Sequence, residues 1–182
     1  MKITLLGFMG TGKSTVGPLV AERLAVPFLD TDELIVEKAG QSIPEIFANR
    51  GEEYFRTLEK QVLAETIEKR SKFVLATGGG IVIAEENRKL LKKDTFPVLL
   101  TASPEEIYRR VAKEGERPLL EVENPEERIA ELLVTRRDYY NSFSRRIDTG
   151  NKTPEEICKE IISLFREESG VDMENIIKNT RE

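Results

Sequence analysis

The sequence contains no histidine and only one cysteine, Cys158, and these two shortages limit the chemistry available to it. Without histidine, Ser-His-Asp and Cys-His nucleophilic sites are excluded. A zinc site is strongly disfavoured, because zinc sites in proteins are built mainly from cysteine and histidine ligands. A single cysteine also cannot form an internal disulfide. Catalysis would therefore depend on aspartate, lysine, arginine, backbone amides or a bound metal ion.

Long apolar runs are lacking as well. Nowhere do eighteen apolar residues follow one another, so we expect no membrane-spanning helix. Residues 1–30 are interrupted by charged side chains and lack the layout of a cleavable signal peptide. Because the single cysteine excludes the disulfide framework of small secreted domains, we expect a cytoplasmic protein. The net charge of −5 argues against a general nucleic-acid binder, because such proteins need a basic surface.

Short apolar segments are present and are typical of buried parallel strands. They lie at residues 3–8, 27–30, 73–77, 97–101 and 145–149. Three helix start signals are also present, each with a capping residue that precedes a proline and two glutamates; the capping residues are Ser103, Asn124 and Thr153. Strands that alternate with helices predict an α/β fold, a three-layer αβα sandwich around a five-stranded parallel sheet.

The length of 182 residues fits a single domain. We expect this domain to span residues 1–168. Residues 169–182 would form a C-terminal tail or linker, and their sequence leaves open whether they fray, pack as a short helix or join another enzyme of the same pathway.

The first predicted strand leads into a glycine-rich segment, Gly7-Phe8-Met9-Gly10-Thr11-Gly12-Lys13-Ser14, that fits the G-x-x-x-x-G-K-[ST] pattern of a phosphate-binding P-loop. Backbone amides of such a loop surround phosphate oxygens, and the following helix, from about Lys13 to Leu24, adds its positive N-terminal end. Lys13 is expected to reach the β- and γ-phosphates, and the Ser14 hydroxyl is expected to bind Mg²⁺. The predicted nucleotide-binding residues of this loop are Gly10, Thr11, Gly12, Lys13, Ser14 and Thr15.

A P-loop by itself does not distinguish a switch GTPase, an ATP-driven motor and a small-molecule kinase. Switch GTPases also carry D-x-x-G after a later strand and N-K-x-D for the guanine base. Neither pattern occurs. The nearest match to N-K-x-D is Asn151-Lys152-Thr153-Pro154, which lacks the aspartate that would bind the base. The sequence therefore argues against a guanine-specific switch protein.

Two aspartates, Asp30 and Asp32, lie at the end of the second predicted strand. Because side chains alternate along a strand, both would share one face and project over the phosphates. One carboxylate could then hold the water shell of a magnesium ion while the other holds an acceptor hydroxyl. Alternatively, this Asp-x-Asp sequence caps the helix that follows.

The third predicted strand is followed by three glycines, Gly78, Gly79 and Gly80. Backbone amides there can approach a ligand, because open α/β sheets bind substrates at the carboxyl ends of their strands. A plain flexible turn is the alternative interpretation.

Taken together, these motifs closely resemble the shikimate kinase family. The resemblance extends through Gly51-Glu52-x-x-Phe55-Arg56-x-x-Glu59 and Arg117-Pro118-Leu119-Leu120 to Arg136-x-x-x-Tyr140, and covers nearly everything up to about residue 165. It implies a P-loop NTPase fold like that of nucleoside monophosphate kinases. It also implies that ATP, with Mg²⁺, phosphorylates shikimate to shikimate 3-phosphate.

The resemblance further implies roles for the acceptor site. Asp32 would grip the ring hydroxyls and take or orient the proton of the attacking one, while Asp30 would steady Mg²⁺ through water. Arg56 and Arg136 would bind the carboxylate, for which a planar guanidinium is well suited. Gly79 and Gly80 would offer their backbone amides to the ring hydroxyls, and Gly78 belongs to the same expected substrate-binding turn.

Two mobile segments are expected, an acceptor-binding segment at about 33–60 and a lid at about 113–123. Arg117 lies in the lid and would close on the γ-phosphoryl group as charge shifts, so that Lys13, Asp32 and Arg117 are the predicted catalytic residues. Arg110 is the candidate for stacking on adenine, with Arg109 as a competitor. Lys152 belongs to the expected adenine loop, which is short and lacks the arginine that some relatives carry.

Other functions are weighed against this one. Another small-molecule kinase, such as a gluconate kinase or a nucleoside monophosphate kinase, has the same architecture, but Arg56, the three glycines and Arg136 suit a compact ligand with a carboxylate and hydroxyls better. A catalytically silent nucleotide-binding or regulatory domain is the alternative from another class, and the intact Lys13 weighs against it. We expect a monomer that binds ATP and shikimate and no nucleic acid or membrane.

Overall fold

In the computed structural model, residues 1–112 and 124–170 are described, and within them five parallel strands form one sheet. The strands are Lys2–Leu6 (β1), Phe28–Asp30 (β2), Phe73–Ala76 (β3), Phe96–Thr101 (β4) and Arg146–Asp148 (β5). Their order across the sheet is β2-β3-β1-β4-β5, with every neighbouring pair parallel. Each predicted strand is confirmed, with ends that differ by no more than two residues.

Helices connect the strands and cover both faces of the sheet. They are Lys13–Leu24 (α1), Thr31–Ala39 (α2), Ile43–Lys69 (α3), Glu85–Asp94 (α4), Pro104–Val111 (α5), Pro125–Thr135 (α6), Arg137–Asn141 (α7) and Pro154–Ser169 (α8). Alternate strand residues point to opposite faces, so Val74 packs in the core shared with α1 and α8 while Leu75 packs in the core shared with α3 and α4. The predicted three-layer sandwich is confirmed.

All three predicted helix starts are confirmed, but only two of the three predicted capping residues form a capping hydrogen bond. Ser103 and Thr153 each accept a hydrogen bond from the backbone N–H three residues later, at 3.3 Å. Asn124 does not cap in this way: its Nδ2 instead donates to the Glu127 carboxylate at 3.0 Å, although α6 still begins at Pro125. Its backbone, with φ −129° and ψ 83°, differs from the φ near −70° and ψ near 155° of the other two caps.

The expectation that the second strand continues to Asp32 is wrong. Strand β2 ends at Asp30, and α2 begins at Thr31. The Asp30 side chain accepts a hydrogen bond from the backbone N–H of Asp32 at 2.9 Å, which is the interaction of a helix N-cap. The capping alternative is therefore the correct description of this turn, and Asp32 lies in the first turn of a helix rather than on a strand.

The segment expected to bind the acceptor, about residues 33–60, folds as α2 and the first part of α3. Helix α3 is interrupted at Gly51, whose φ of 77° is unfavourable for residues with a Cβ. Beyond this kink, Phe55 packs with Ile35 and Ile46 in a small apolar core of its own. The expected lid at 113–123 lies outside the described residues, as do residues 171–182 of the expected tail. Among the helices described, we find none with the length and apolarity needed to cross a bilayer.

Candidate active site

The P-loop connects β1 to α1 and carries its lysine folded back across the loop. Lys13 Nζ donates to the carbonyl oxygens of Gly7 at 2.9 Å and Phe8 at 2.8 Å. Gly10 and Gly12 have φ values of 72° and 92°, which lie in the left-handed region that favours glycine. The glycines of the sequence pattern therefore lie where the backbone of this loop needs them.

Ser14 and Asp30, the two residues predicted to serve a metal ion, are in contact. Ser14 Oγ donates to Asp30 Oδ2 at 3.0 Å, while Oδ1 of the same carboxylate accepts from the N–H of Asp32. Hydroxyl and carboxylate oxygens are ligands that suit Mg²⁺. Within the described residues, no group of three or more aspartate, glutamate, cysteine or histidine side chains could hold a metal ion. An ion at Ser14 would therefore need oxygen ligands from elsewhere.

The Gly78–Gly80 turn touches each part of the predicted acceptor site. The N–H of Gly78 donates to Thr31 Oγ1 at 2.8 Å, and a Cβ at Gly78 would lie 2.9 Å from Oδ1 of Asp32. A Cβ at Gly80 would collide with the Arg56 guanidinium. Gly78 and Gly80 therefore let the side chains of Asp32 and Arg56 pack directly against the backbone, which a plain flexible turn would not require.

Arg56 lies between two glutamates of the same helix. Its Nη1 donates to Glu59 at 3.0 Å, while Nε and Nη2 donate to one oxygen of Glu52 at 3.2 and 3.1 Å. The Glu59 side chain is only 2% exposed, whereas that of Glu52 is 65% exposed. Burial raises the pKa of the Glu59 carboxyl above its usual value, and the Arg56 guanidinium opposes this rise. Arg56 thus has one fixed and one accessible carboxylate partner.

Arg136, which lies between α6 and α7, and Tyr140 of α7 approach the same turn. Arg136 Nη1 donates to the Gly79 carbonyl at 3.3 Å, and the Tyr140 hydroxyl donates to the same oxygen at 2.8 Å. The Arg136 guanidinium carbon also lies 5.6 Å from the centre of the Phe8 ring in the P-loop. The Tyr140 side chain is buried, and burial raises its pKa to about 12.

The P-loop and the predicted acceptor residues meet at one edge of the sheet. A Cβ at Gly79 would lie 3.4 Å from the Gly7 carbonyl, so the glycine turn lies directly beside the phosphate loop. The contacts of this turn bring Asp32, Arg56 and Arg136 to the same edge. This is the arrangement that transfer between a nucleotide and an adjacent acceptor requires.

The side chains predicted to bind adenine, Arg109, Arg110 and Lys152, form hydrogen bonds or ion pairs with other protein groups. Arg110 donates to Glu106 at 2.7 Å, to the Thr149 carbonyl at 2.7 Å and to the Gly10 carbonyl at 3.2 Å. It therefore ties the P-loop to the end of β5. Arg109 is exposed and pairs with the same glutamate. Lys152 pairs with Glu160 at 2.8 Å. Arg117 lies outside the described residues.

Comparison with known proteins identifies the family. Residues 9–166 match the family model described as shikimate kinase. This chain belongs to the shikimate kinase family. The shikimate kinase of Caldanaerobacter subterraneus subsp. tengcongensis is 47% identical over 163 residues, which cover 90% of this chain and 95% of that protein. The shikimate kinase of Geobacter sulfurreducens is 48% identical over 165 residues, 91% of each chain.

Solved structures of shikimate kinases share the fold. The shikimate kinase from Acinetobacter baumannii in complex with shikimate superposes with a TM-score of 0.86 at 39% identity, covering 92% of this chain and 93% of that one. The shikimate kinase from Aquifex aeolicus has a TM-score of 0.78 at 36% identity, covering 94% and 100% of the two chains. The predicted P-loop kinase architecture is therefore confirmed.

The sequence analysis assigned no contact to three residues that lie beside the predicted site residues in the structure: Thr31, Glu59 and Tyr140. A signal was present for two of them, because Glu59 follows Arg56 by three residues and Tyr140 follows Arg136 by four. Residues three or four apart share a helix face, so each could have been expected beside its arginine. Thr31 gave no such signal, since its contact with Gly78 joins residues 47 positions apart.

Proposed function

We propose that this chain transfers the γ-phosphoryl group of ATP to shikimate, giving ADP and shikimate 3-phosphate. Membership of the shikimate kinase family supports this proposal. The structural observation that carries it is the Gly78–Gly80 turn, which packs against Asp32, Arg56 and the P-loop at once. One chain supplies all of these groups, so we also propose that the protein acts as a monomer.

The nucleotide half of the reaction is assigned to the P-loop. Backbone amides at residues 10–15 would hold the phosphate oxygens, with Lys13 exchanging its two carbonyl partners for the β- and γ-phosphates. Ser14 would bind Mg²⁺ directly and Asp30 would hold it through water. When bound, this ion neutralises charge on the β- and γ-phosphates. Phosphates and water would supply the remaining oxygen ligands, as is usual for Mg²⁺.

The acceptor half is assigned to Asp32 and the two arginines. The acceptor hydroxyl oxygen forms the new bond to the γ-phosphorus while the bond to the bridging oxygen of ADP breaks. The proton of that hydroxyl passes to the Asp32 carboxylate or is oriented by it. Arg56 and Arg136 bind the substrate carboxylate, a planar anion that matches the guanidinium fork. The protein thereby contributes positioning and charge neutralisation rather than covalent chemistry.

Further residues complete the proposed site. Arg117 would close on the γ-phosphoryl group from the lid at 113–123 and help to exclude water. Arg110 lies beside the P-loop through its bond to the Gly10 carbonyl, which favours it over Arg109 for the stack on adenine. Lys152 would contact the nucleotide from the loop after β5.

One assay tests this function against its alternatives. ADP release is coupled to a spectroscopic readout with shikimate, gluconate, AMP or no acceptor, at the same ATP and Mg²⁺ concentrations. We expect only shikimate to accelerate release. Acceleration by gluconate or AMP instead would replace the proposed acceptor, and no acceleration by any of them would favour a silent nucleotide-binding domain. Asp32→Asn is expected to abolish turnover while it leaves ATP binding largely intact.

A further inference from the structure

Within the part of the chain that the structure describes, the carbonyl oxygen of Gly79 has two donors that lie one helical turn apart. The Tyr140 hydroxyl reaches it at 2.8 Å, within the usual range for such a bond, whereas Arg136 Nη1 reaches it at 3.3 Å, beyond the usual range for a nitrogen donor. The N–H of Tyr140 itself donates to the carbonyl of Arg136 at 3.1 Å, so the same turn carries both side chains. The two donors are therefore unequal partners of one acceptor.

This sharing matters because Arg136 has a second task under the proposed function. To bind the carboxylate of shikimate, its guanidinium has to turn toward the acceptor and give up, or weaken, the long bond to Gly79. A carbonyl left without a donor in a partly buried position is unfavourable. A second donor that stays in place removes this penalty.

We propose that Tyr140 is a positioning residue of the acceptor site, whose hydroxyl holds the Gly79 carbonyl so that Arg136 can exchange this carbonyl for the substrate carboxylate. The inference rests on the proposed function, because it assumes an acceptor with a carboxylate. It assigns to Tyr140 a contribution to acceptor binding and none to the chemical step or to ATP.

The surroundings of Tyr140 suit a donor that does not move. Its ring packs in the core cluster of Leu99, Ile81 and Phe143, and the residue is 7% exposed. Burial raises its pKa to about 12, although the neighbouring Arg136 guanidinium opposes this rise, so the hydroxyl keeps its proton and remains a donor at any pH at which the enzyme would work. Arg136, by contrast, is only partly buried and carries its guanidinium at the end of a long side chain.

The same bond also orients the neighbouring amide. The Gly79 carbonyl and the Gly80 N–H belong to one planar trans peptide and point in opposite directions. A hydroxyl that holds the carbonyl therefore holds the amide hydrogen of Gly80 as well, at the position that packs against Arg56. Tyr140 is thereby linked to both arginines expected to bind the carboxylate.

Tyr140→Phe tests the proposal, because it removes the hydroxyl and keeps the ring. We expect the KM for shikimate to rise roughly five- to tenfold, the value of one lost hydrogen bond, with kcat and the KM for ATP within about twofold of wild type. The matched control is Tyr139→Phe, because the neighbouring ring packs in the same core region and contacts Arg88 through its face at 4.7 Å. We expect this control to leave both KM values unchanged.

Repeating Tyr140→Phe in an Arg136→Met variant tests whether Tyr140 acts through Arg136 or only stabilises the fold. In Arg136→Met, which has no guanidinium to release, adding Tyr140→Phe is expected to change kcat/KM for shikimate by less than about twofold, because coupled residues are non-additive. An equal loss in both backgrounds would overturn the exchange with Arg136. An unchanged KM for shikimate in Tyr140→Phe, or an equal rise in both KM values with a lowered Tm, would overturn the positioning role itself. These results would leave shikimate phosphorylation by the wild type standing, whereas its absence in the wild type would overturn both proposals.

Discussion

Arg56 donates through Nη1 to the buried carboxylate of Glu59 at 3.0 Å, three residues further along helix α3. This pair differs from a surface ion pair, because solvent does not reach Glu59 and cannot replace the arginine as its partner. The contact directs the guanidinium toward the Gly78–Gly80 turn. It therefore fixes one carboxylate-binding arginine of the proposed acceptor site before any substrate arrives.

Glu59→Gln is expected to lower kcat/KM for shikimate roughly tenfold to a hundredfold, because a hydrogen bond between charged groups is replaced by a weaker one and Arg56 loses its fixed direction. The KM for ATP should change little. Steady-state kinetics with each substrate varied in turn measure the effect. The control is Glu68→Gln on the same helix, where the glutamate is exposed to solvent. A comparable loss of ATP affinity would contradict a role specific to the acceptor.

The raised pKa of Glu59 predicts a pH dependence of stability. A carboxyl whose folded-state pKa lies above its ordinary value of 4.5 stabilises the fold most at low pH, and this contribution is lost as pH rises through the raised pKa. Glu59→Gln removes the titrating group. The free energy of unfolding of the wild type, relative to this variant, is therefore expected to fall as pH rises from about 4 toward neutral. Urea unfolding of both proteins across this range measures the difference, and a difference that grows in favour of the wild type would show the opposite sign.

Glu52 is expected to compete with the substrate carboxylate. It occupies Nε and Nη2 of Arg56, the two donors that a carboxylate would engage side by side, yet its side chain is 65% exposed. Exposed pairs of this kind are weak, so Glu52→Gln should lower the KM for shikimate by about twofold without changing kcat.

Salt provides a check on this competition, because the effect of removing an exposed charge should shrink as ionic strength rises. The control is Glu53→Gln, because Glu53 is an exposed neighbour of Glu52 and the carboxylates that bind Arg56 are those of Glu52 and Glu59. A raised KM in Glu52→Gln would mean that this glutamate assists the acceptor instead of competing with it.

Asp30 combines two tasks that substitution can separate. Asp30→Asn keeps a helix N-cap, because asparagine caps as well as aspartate, but removes the charge beside Ser14. We expect the Mg²⁺ concentration for half-maximal turnover to rise roughly tenfold or more, as for other residues that orient a metal site through water, while Tm changes little. A Mg²⁺ titration at fixed ATP and a thermal melt measure both quantities. An unchanged Mg²⁺ requirement would restrict Asp30 to its capping role.

Much of the fold was predictable, because it depends on short stretches of chain. Apolar runs placed all five strands to within two residues, and the helix after the P-loop was expected from Lys13 to Leu24, where α1 lies. The left-handed backbone of Gly10 and Gly12 follows from the P-loop pattern in the same way. The turn at Asp30 was the exception, since one capping hydrogen bond decided locally between a longer strand and an earlier helix.

The sequence by itself determined the strands, the P-loop and the residue types available for phosphoryl transfer, because periodicity and glycine patterns act over a few residues. Only the tertiary structure decided which side chains share a partner. Gly79 and Tyr140 meet across 61 residues, and Gly78 and Thr31 across 47. Such contacts depend on the strand order β2-β3-β1-β4-β5, which brings distant strand ends to one edge of the sheet. No local pattern in the chain encodes that order.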